Sequence, residues 1–182
     1  MKKIYLLSIT LFCLCFLSCE KDESLDPRPL LVGGQFVRLD ITRPRMNSED
    51  INNTSFGGLL TAPSGNVAKF NLYVRKYDGL VVATEFKLVK TITSFPTDLS
   101  ITPQDIATAL NLQLSDLRFA DVFRFYGESF DANGNRADYY SLSATVQTTK
   151  SYKQAYRFVA DLTKTPGMTQ QEFSVFDSYP PQ

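Results

Sequence analysis

The sequence predicts a mainly β fold, a β-sandwich of about seven strands with one short connector helix. Apolar and polar residues alternate along most of residues 33–164, which is typical of strands that bury one face. Gly, Pro, Asn and Asp residues separate these stretches, and one stretch alone has the capping and spacing of a helix. We therefore expect residues 33–164 to form the folded domain.

Four strands are predicted in the first half of this domain. The first begins at residue 35 and places Val37, Leu39 and Ile41 on one face. The next three are predicted over residues 56–62, 67–76 and 80–93. Gly57-Gly58 weakens the second of them, which we expect to be short or to form a bulged edge. In the fourth, the residues predicted to share a face are Val82, Phe86, Leu88 and Ile92.

The predicted connector helix covers residues 103–111. Thr102 is its expected N-cap, Pro103 occupies the first helical position, and Asp105 follows the cap by three residues. A helical apolar stripe comprises Ile106, Ala109 and Leu110. This helix is expected to pack against one end of the sandwich.

Three further strands are predicted over residues 122–130, 137–147 and 155–163. A hairpin turn at residues 131–135 joins the first two of them. The residues expected to point inward from the last two are Tyr140, Leu142, Ala144 and Val146, then Tyr156, Phe158, Ala160 and Leu162. This set of strands is typical of a sandwich of immunoglobulin or fibronectin type III character.

Residues 1–18 have the features of a lipoprotein signal peptide. Lys2 and Lys3 precede an apolar run over 4–17 that is short for a membrane span, and the small residue Ser18 precedes Cys19. The sequence predicts cleavage before Cys19 and attachment of lipid to its thiol. The alternatives are an ordinary secretory signal and an uncleaved anchor. We expect a flexible tether over 19–32, the sandwich over 33–164 and a loosely ordered tail over 165–182.

Composition argues against several classes of function. The chain has 19 Lys+Arg and 19 Asp+Glu, so loss of Lys2 and Lys3 with the leader leaves 17 against 19, a net charge of −2. That balance gives no support to nucleic-acid binding. Histidine does not occur, and lipid would occupy the Cys19 thiol. The sequence therefore predicts no catalytic residues, metal ligands or cofactors, and no enzyme.

Two groups of residues are candidate sites. Tyr126 and Tyr139 are candidate ligand contacts, because exposed aromatic rings stack on sugars; the alternative is that they are core and rim aromatics. Asp131, Asn133 and Asn135 alternate as calcium ligands do. However, Arg136 stands where an EF-hand requires Gly, and Leu142 where it requires Glu, so these residues predict a hairpin turn.

Several segments together resemble small Bacteroidetes-type surface lipoproteins. The matching segments are the leader, Cys19-Glu20-Lys21-Asp22-Glu23, Phe56-Gly57-Gly58-Leu59 to Pro63, Asn66-Val67-Ala68-Lys69-Phe70 and Phe95-Pro96-Thr97-Asp98-Leu99. The resemblance is to SusE-like accessory proteins of SusC/SusD-type uptake systems. It implies an immunoglobulin-like sandwich, lipid-anchored in the outer membrane and facing the cell exterior. It also implies an outer-membrane transporter complex or a polysaccharide as the partner.

Two other functions remain open. A structural or adhesive surface sandwich without a small ligand should have an exposed, unpaired strand edge. An enzyme that uses two carboxylates should place them in one pocket within about 10 Å of each other. The tail residues Phe173, Phe176 and Tyr179 are interpreted either as an interaction segment or as a flap over an exposed sheet face or edge.

Overall fold

A computed structural model describes residues 34–78 and 81–164. The predicted leader, the lipidation site Cys19, the tether and the C-terminal tail lie outside the described residues. In chain order the strands are β1 (Arg38–Arg43), β2 (Met46–Asn47), β3 (Phe56–Thr61), β4 (Lys69–Asp78), β5 (Val81–Val82), β6 (Lys87–Ile92), β7 (Thr97–Ile101), β8 (Val122–Phe130), β9 (Arg136–Ala137) and β10 (Arg157–Thr163). The helices are α1 (Pro103–Leu110) and α2 (Ala144–Thr148).

The strands form two sheets that pack as a β-sandwich. One sheet has the order β1-β3-β7, and both of its pairs are antiparallel. The other has the order β2-β10-β8-β4, with β5 and β6 also pairing with β4, and β9 pairing with β8. After β1 the chain crosses between the sheets, because β2 pairs in parallel with β10 through Met46 and Leu162.

The predicted fold class is confirmed. Seven strands in the described part of the chain have five or more residues. The first, second and fifth of these form one sheet, while the third, fourth, sixth and seventh belong to the other. An immunoglobulin sandwich separates strands A, B and E from C, F and G in this way. Here the fourth long strand, β6, joins the C–F–G side.

The core lies between the two sheets and is held by alternating side chains. Phe70, Leu72 and Val74 of β4 are fully buried, and Phe123 and Phe125 of β8 are buried beside them. Three rings connect the sheets in a stack, with centroid separations of 6.1 Å for Phe56–Phe125, 5.3 Å for Phe56–Phe158 and 4.9 Å for Phe125–Phe158. Burial of such rings supplies much of the stability that a domain without a disulfide requires.

The predicted helix is confirmed as α1. The Thr102 hydroxyl accepts a hydrogen bond from the Asp105 amide, and the Asp105 carboxylate accepts one from the Thr102 amide, which completes a capping box. Ile106, Ala107 and Leu110 are buried. Lys90 Nζ of β6 lies 3.3 Å from Asp105 Oδ2, so the start of the helix is tied to the edge of the larger sheet.

The strand predicted over residues 137–147 is wrong beyond Ala137. Residues Tyr139–Ser141 form a 3-10 turn, α2 follows, and Tyr140 is 59% exposed rather than inward. The Asp138 carboxylate accepts hydrogen bonds from the amides of Tyr140 and Ser141, and the Ser143 hydroxyl accepts one from the Val146 amide. Such local side-chain caps compete with strand pairing and here they prevail over the alternating pattern.

The long strand predicted over residues 80–93 is divided into β5 and β6. Thr84 interrupts it, since its hydroxyl accepts a hydrogen bond from the Lys76 amide at 2.8 Å. Leu88 is 49% exposed, so the predicted apolar face of this stretch is not buried as a unit. The sequence also predicts no strand where β7 lies. Only Leu99 and Ile101 of this strand are buried, and two alternate apolar residues are too short a pattern to indicate a strand.

Gly57 and Gly58 are required by close packing in the middle of the smaller sheet. β3 lies between β1 and β7, so it is a central strand and not the edge that its glycines suggested. A Cβ atom on Gly57 would lie 1.8 Å from the Leu99 carbonyl oxygen, and Gly57 has a φ of +151°. A Cβ atom on Gly58 would lie 2.0 Å from the Asp40 carbonyl oxygen. Neither contact leaves space for a methyl group.

We predict that Gly57→Ala destabilises the domain by about 3 kcal/mol or more, because the new methyl group must displace backbone on β7. Urea unfolding followed by circular dichroism measures the change. Gly34→Ala is the matched control, since no atom lies within 4 Å of the added Cβ. Equal stability of the two variants would contradict this account of the sheet.

Candidate functional site

The outward side of the larger sheet presents arginines among aromatic rings. Tyr73 pairs with Tyr126 across β4 and β8, Arg75 pairs with Arg124, and Arg157 of β10 pairs with Tyr126. Strand alternation therefore brings these five side chains to one surface. We name this surface the Arg/Tyr face and define it by Tyr73, Arg75, Tyr77, Phe86, Arg124, Tyr126, Tyr139 and Arg157.

The guanidinium groups of this face lie over aromatic rings. Arg75 Cζ is 4.9 Å from the centroid of Tyr77 and 4.5 Å from that of Phe86. Arg124 Cζ is 4.4 Å from the Tyr77 centroid, so the guanidinium groups of Arg75 and Arg124 both lie over the Tyr77 ring. Contacts of this kind stabilise by about 0.5–1 kcal/mol each at exposed sites. Arg75 Nε is buried without a hydrogen-bond partner in the protein.

Tyr126 lies in the middle of the face, where its ring contacts two others. The centroids of Tyr73 and Phe86 are 6.5 Å and 5.9 Å from that of Tyr126. Its hydroxyl donates a hydrogen bond of 2.9 Å to Asp138 Oδ2. Burial, followed by the hydrogen bond and charge of Asp138, raises the pKa of Tyr126. The ring of Tyr126, a predicted ligand contact, therefore lies on the face. Its hydroxyl is hydrogen-bonded to Asp138 in the segment that follows β9.

A network of charged groups continues from Tyr126. Arg136 Nη2 lies 3.3 Å from Asp138 Oδ2, and Arg136 Nη1 lies 2.9 Å from Glu128 Oε1. Burial alone would raise the pKa of Asp138, but hydrogen bonds from Tyr126, Ser141 and the Tyr140 amide hold that pKa below its ordinary value. The segment that follows β9 is thereby fixed beside the Arg/Tyr face.

Tyr139 forms the border of the face. Arg157 Cζ is 5.4 Å from the Tyr139 centroid, and the ring is partly buried against the core. The Tyr140 ring lies edge-on at 5.5 Å and is the more exposed of the pair. The two predicted contacts therefore fall on one surface, Tyr139 at its border, and Tyr140 belongs beside them.

Sequence reasoning missed the three arginines, which are as prominent in this face as the aromatic rings. Their signal was present, because Arg75 follows an apolar residue in an alternating stretch, and Arg124 and Arg157 each lie between two aromatic residues. An outward arginine is usually a solubilising residue, and only the strand register shows that the three are neighbours.

The face has a small groove. The groove encloses about 20 Å³ and is lined by Arg75, Phe86, Arg124, Phe125, Tyr126, Arg157, Phe158 and Val159. That volume holds about one water molecule. A second, open depression of about 270 Å³ lies between the edge strands β6 and β7 and is lined largely by Thr and Ser. The groove on this face is thus too small to enclose a small-molecule ligand.

Asp161 lies at the other end of the outward side of β10. Asp161 is 4% exposed, and its Oδ1 atom has no hydrogen-bond partner in the protein. Burial raises the pKa of Asp161 to about 6, although the charge of Arg45 opposes this shift. A perturbed carboxyl group is a candidate functional group. The nearby Asp121 is paired with Lys76 at 2.9 Å, so it is already engaged in an ion pair.

The residues considered for calcium form a turn, as predicted. The Asp131 carboxylate accepts hydrogen bonds from the Asn133 and Asn135 amides at 2.8 Å and from Asn135 Nδ2 at 2.7 Å. Gly134 completes the turn with a φ of +82°. Within residues 34–78 and 81–164, no group of three or more His, Cys, Asp and Glu side chains is arranged to hold a metal ion.

Comparison of the chain with protein-family models, with curated proteins and with solved structures finds no match. In the described part of the chain, no helix has both the length and the apolar character needed to cross a bilayer. The site is therefore interpreted from its own geometry.

We predict that Tyr126→Phe lowers the free energy of unfolding by about 1–2 kcal/mol at pH 7, because the ionised Asp138 loses a hydrogen bond. The folded-state pKa of Asp138 is depressed, so this stabilisation is present above pH 3.8 and is lost as the pH falls further. Urea unfolding at pH 7 and pH 3 should show a smaller difference at the lower pH. The exposed Tyr140→Phe should match the wild type, and a pH-independent loss would contradict the assignment.

We predict that Asp161→Asn stabilises the domain by about 2 kcal/mol at pH 8. The folded-state pKa of Asp161 is raised to about 6, so the wild type loses stability as the pH rises from about 4 through 6. Asparagine removes that loss, and the two proteins should converge near pH 4. Thermal unfolding across this pH range measures the effect, with the exposed Glu85→Gln as the control. No gain at pH 8 would refute it.

Proposed function

We propose that this protein is a non-enzymatic lipoprotein of the outer membrane. Acylated Cys19 would anchor it, and the sandwich would face the cell exterior as a binding or accessory module of a glycan or nutrient uptake complex. The observation that carries the binding role is the Arg/Tyr face, whose arginines and rings occupy the outward side of the larger sheet.

The anchoring part of the proposal is supported by the sequence. The apolar leader ends in Ser18-Cys19, and Glu20-Lys21-Asp22-Glu23 follow. Two or three acyl chains hold a protein in a membrane durably, since each buried methylene contributes about 0.8 kcal/mol. Pro27 and Pro29 stiffen the segment that follows, which favours holding the domain away from the membrane surface.

The first described residues are hydrogen-bonded to residues 153–156, which precede β10. The buried Tyr156 hydroxyl donates a hydrogen bond to the Gln35 carbonyl. The Ala155 amide donates to the Val37 carbonyl at 3.0 Å, and the Leu39 amide donates to the Lys153 carbonyl at 2.8 Å. The N-terminal end of the described domain is therefore joined to its core by hydrogen bonds.

The alternative function is a structural or adhesive surface sandwich with no small-molecule ligand. β6 and β7 favour it, because within the described residues each pairs with a strand on one side only. However, β6 carries Lys87 and Lys90, and lysines on an edge strand oppose edge-to-edge pairing. The adhesive alternative does not account for the Arg/Tyr face, so we favour the binding module.

We predict that the mature protein begins at Cys19 with a thioether-linked diacylglycerol, which mass spectrometry of the N-terminal peptide detects. Cys19→Ala should abolish membrane retention, whereas Cys15→Ala, a cysteine within the leader, should not. An unmodified Cys19, or a retained leader, would refute the anchor.

The partner is tested by affinity capture with the full lipidated chain in detergent. We expect it to recover an outer-membrane transporter or to be retained on immobilised polysaccharide. Recovery of further copies of this chain alone would favour the adhesive alternative.

A further inference from the structure

We propose that residues 165–182, which follow β10, fold back and pack their aromatic side chains on the outward side of the larger sheet. The inference goes beyond the proposed function, because this contact within the chain requires neither lipid at Cys19 nor a glycan. It is carried by exposed apolar side chains on that side, by the burial of Asp161 at one end of it, and by the place where the described chain ends.

The outward side of the larger sheet carries exposed apolar side chains at its β5 and β6 edge. Val82 is 45% exposed and lies opposite Tyr77 of β4, while Leu88 is about equally exposed and lies opposite Tyr73. Directly opposed residues share a face of a sheet, so both side chains lie on the same side as the rings of the Arg/Tyr face. Apolar side chains grouped in this way mark a surface to which other chain can bind.

The opposite end of the same side is inaccessible. Val82, Tyr77, Val122 and Asp161 are successive cross-strand partners, so they form one row across β5, β4, β8 and β10. Asp161, at the far end of this row from Val82, is buried, and its Oδ1 atom has no hydrogen-bond partner. Burial of an outward carboxyl group requires chain above the sheet at that point. This point is on β10, the strand after which residues 165–182 begin.

Residues 165–182 are long enough to cross this side of the sheet. β10 ends at Thr163, and Pro166-Gly167 follows, a dipeptide that predicts a turn. Neighbouring strands lie about 4.8 Å apart, so β4 is about 10 Å from β10. An extended chain advances about 3.3 Å per residue, so about three residues span that distance. The segment can therefore reach every strand from β10 to β6.

The composition of the segment suits an apolar surface. Its aromatic residues are Phe173, Phe176 and Tyr179. Full burial of an apolar side chain of this size contributes about 1.5–3 kcal/mol. Because the segment is tethered beside the sheet, its effective concentration there is about millimolar, so a few such contacts hold it in place. A second copy of the chain would have to bind without this advantage, and we therefore assign the tethered segment to the surface.

The test uses a single tryptophan as the probe, because the chain contains no tryptophan. Phe173→Trp and Phe176→Trp are prepared separately in the full lipidated chain in detergent, and acrylamide quenching is measured before and after unfolding in urea. We expect at least one probe to be quenched several-fold less in the folded protein, with emission at a shorter wavelength. Val82→Ser together with Leu88→Ser should raise the quenching of that probe several-fold, because two apolar contacts are lost.

The matched control is Leu59→Ser, since Leu59 is 47% exposed but lies on β3 in the other sheet. Quenching of the protected probe should be unchanged in that variant. Circular dichroism establishes that each variant is folded, and the comparison of folded with unfolded protein requires no change in the sheet.

Four results would overturn the inference. The first is equal quenching of both probes in the folded and unfolded protein, and the second is protection that the paired serine variant does not change. The third is an equal loss of protection in Leu59→Ser. The fourth is protection that disappears on dilution, which would indicate a second copy of the chain. None of these results bears on the proposed function, which fails instead if Cys19 is unmodified or if neither a transporter nor a polysaccharide is recovered.

Discussion

Alternation of buried and outward side chains, along β8 and along β4 as far as Arg75, is the constraint on which the rest of the structure depends. These central strands bury Phe70, Leu72, Val74, Phe123 and Phe125 against the smaller sheet. The same register places tyrosines and arginines together on the opposite side. A shift of one residue would exchange the two sides, so core burial itself fixes which residues form the outer surface. The Arg/Tyr face is in this sense a consequence of the packing of the core.

Much of this fold could be predicted because its longest strands have complete patterns. β8 occupies the predicted residues 122–130, and the cap of α1 forms through Thr102 and Asp105 as expected. The failures occur where local hydrogen bonds or pairing partners decide the structure. Asp138 caps a turn that the alternating pattern concealed, and β7 depends on β3 for its strand conformation. Neither effect can be recognised from apolar periodicity alone.

The candidate site could be predicted only in part, for a related reason. Tyr126 and Tyr139 were identifiable as aromatic residues near an outer surface, but their hydroxyl and ring contacts depend on Asp138 and Arg157. The arginines come from strands far apart in the chain, and their proximity depends on register. Together these residues place arginine side chains among aromatic rings on the outward side of the larger sheet.

The most direct test of this account is disulfide formation in the full chain carrying Tyr73→Cys and Tyr126→Cys, mapped by mass spectrometry, because these two positions lie opposite each other across β4 and β8. The account predicts that this pair forms a disulfide on oxidation, while the diagonal pair Tyr73→Cys with Arg124→Cys does so far less. A disulfide between positions 73 and 124, and none between 73 and 126, would contradict the register that fixes the outer surface.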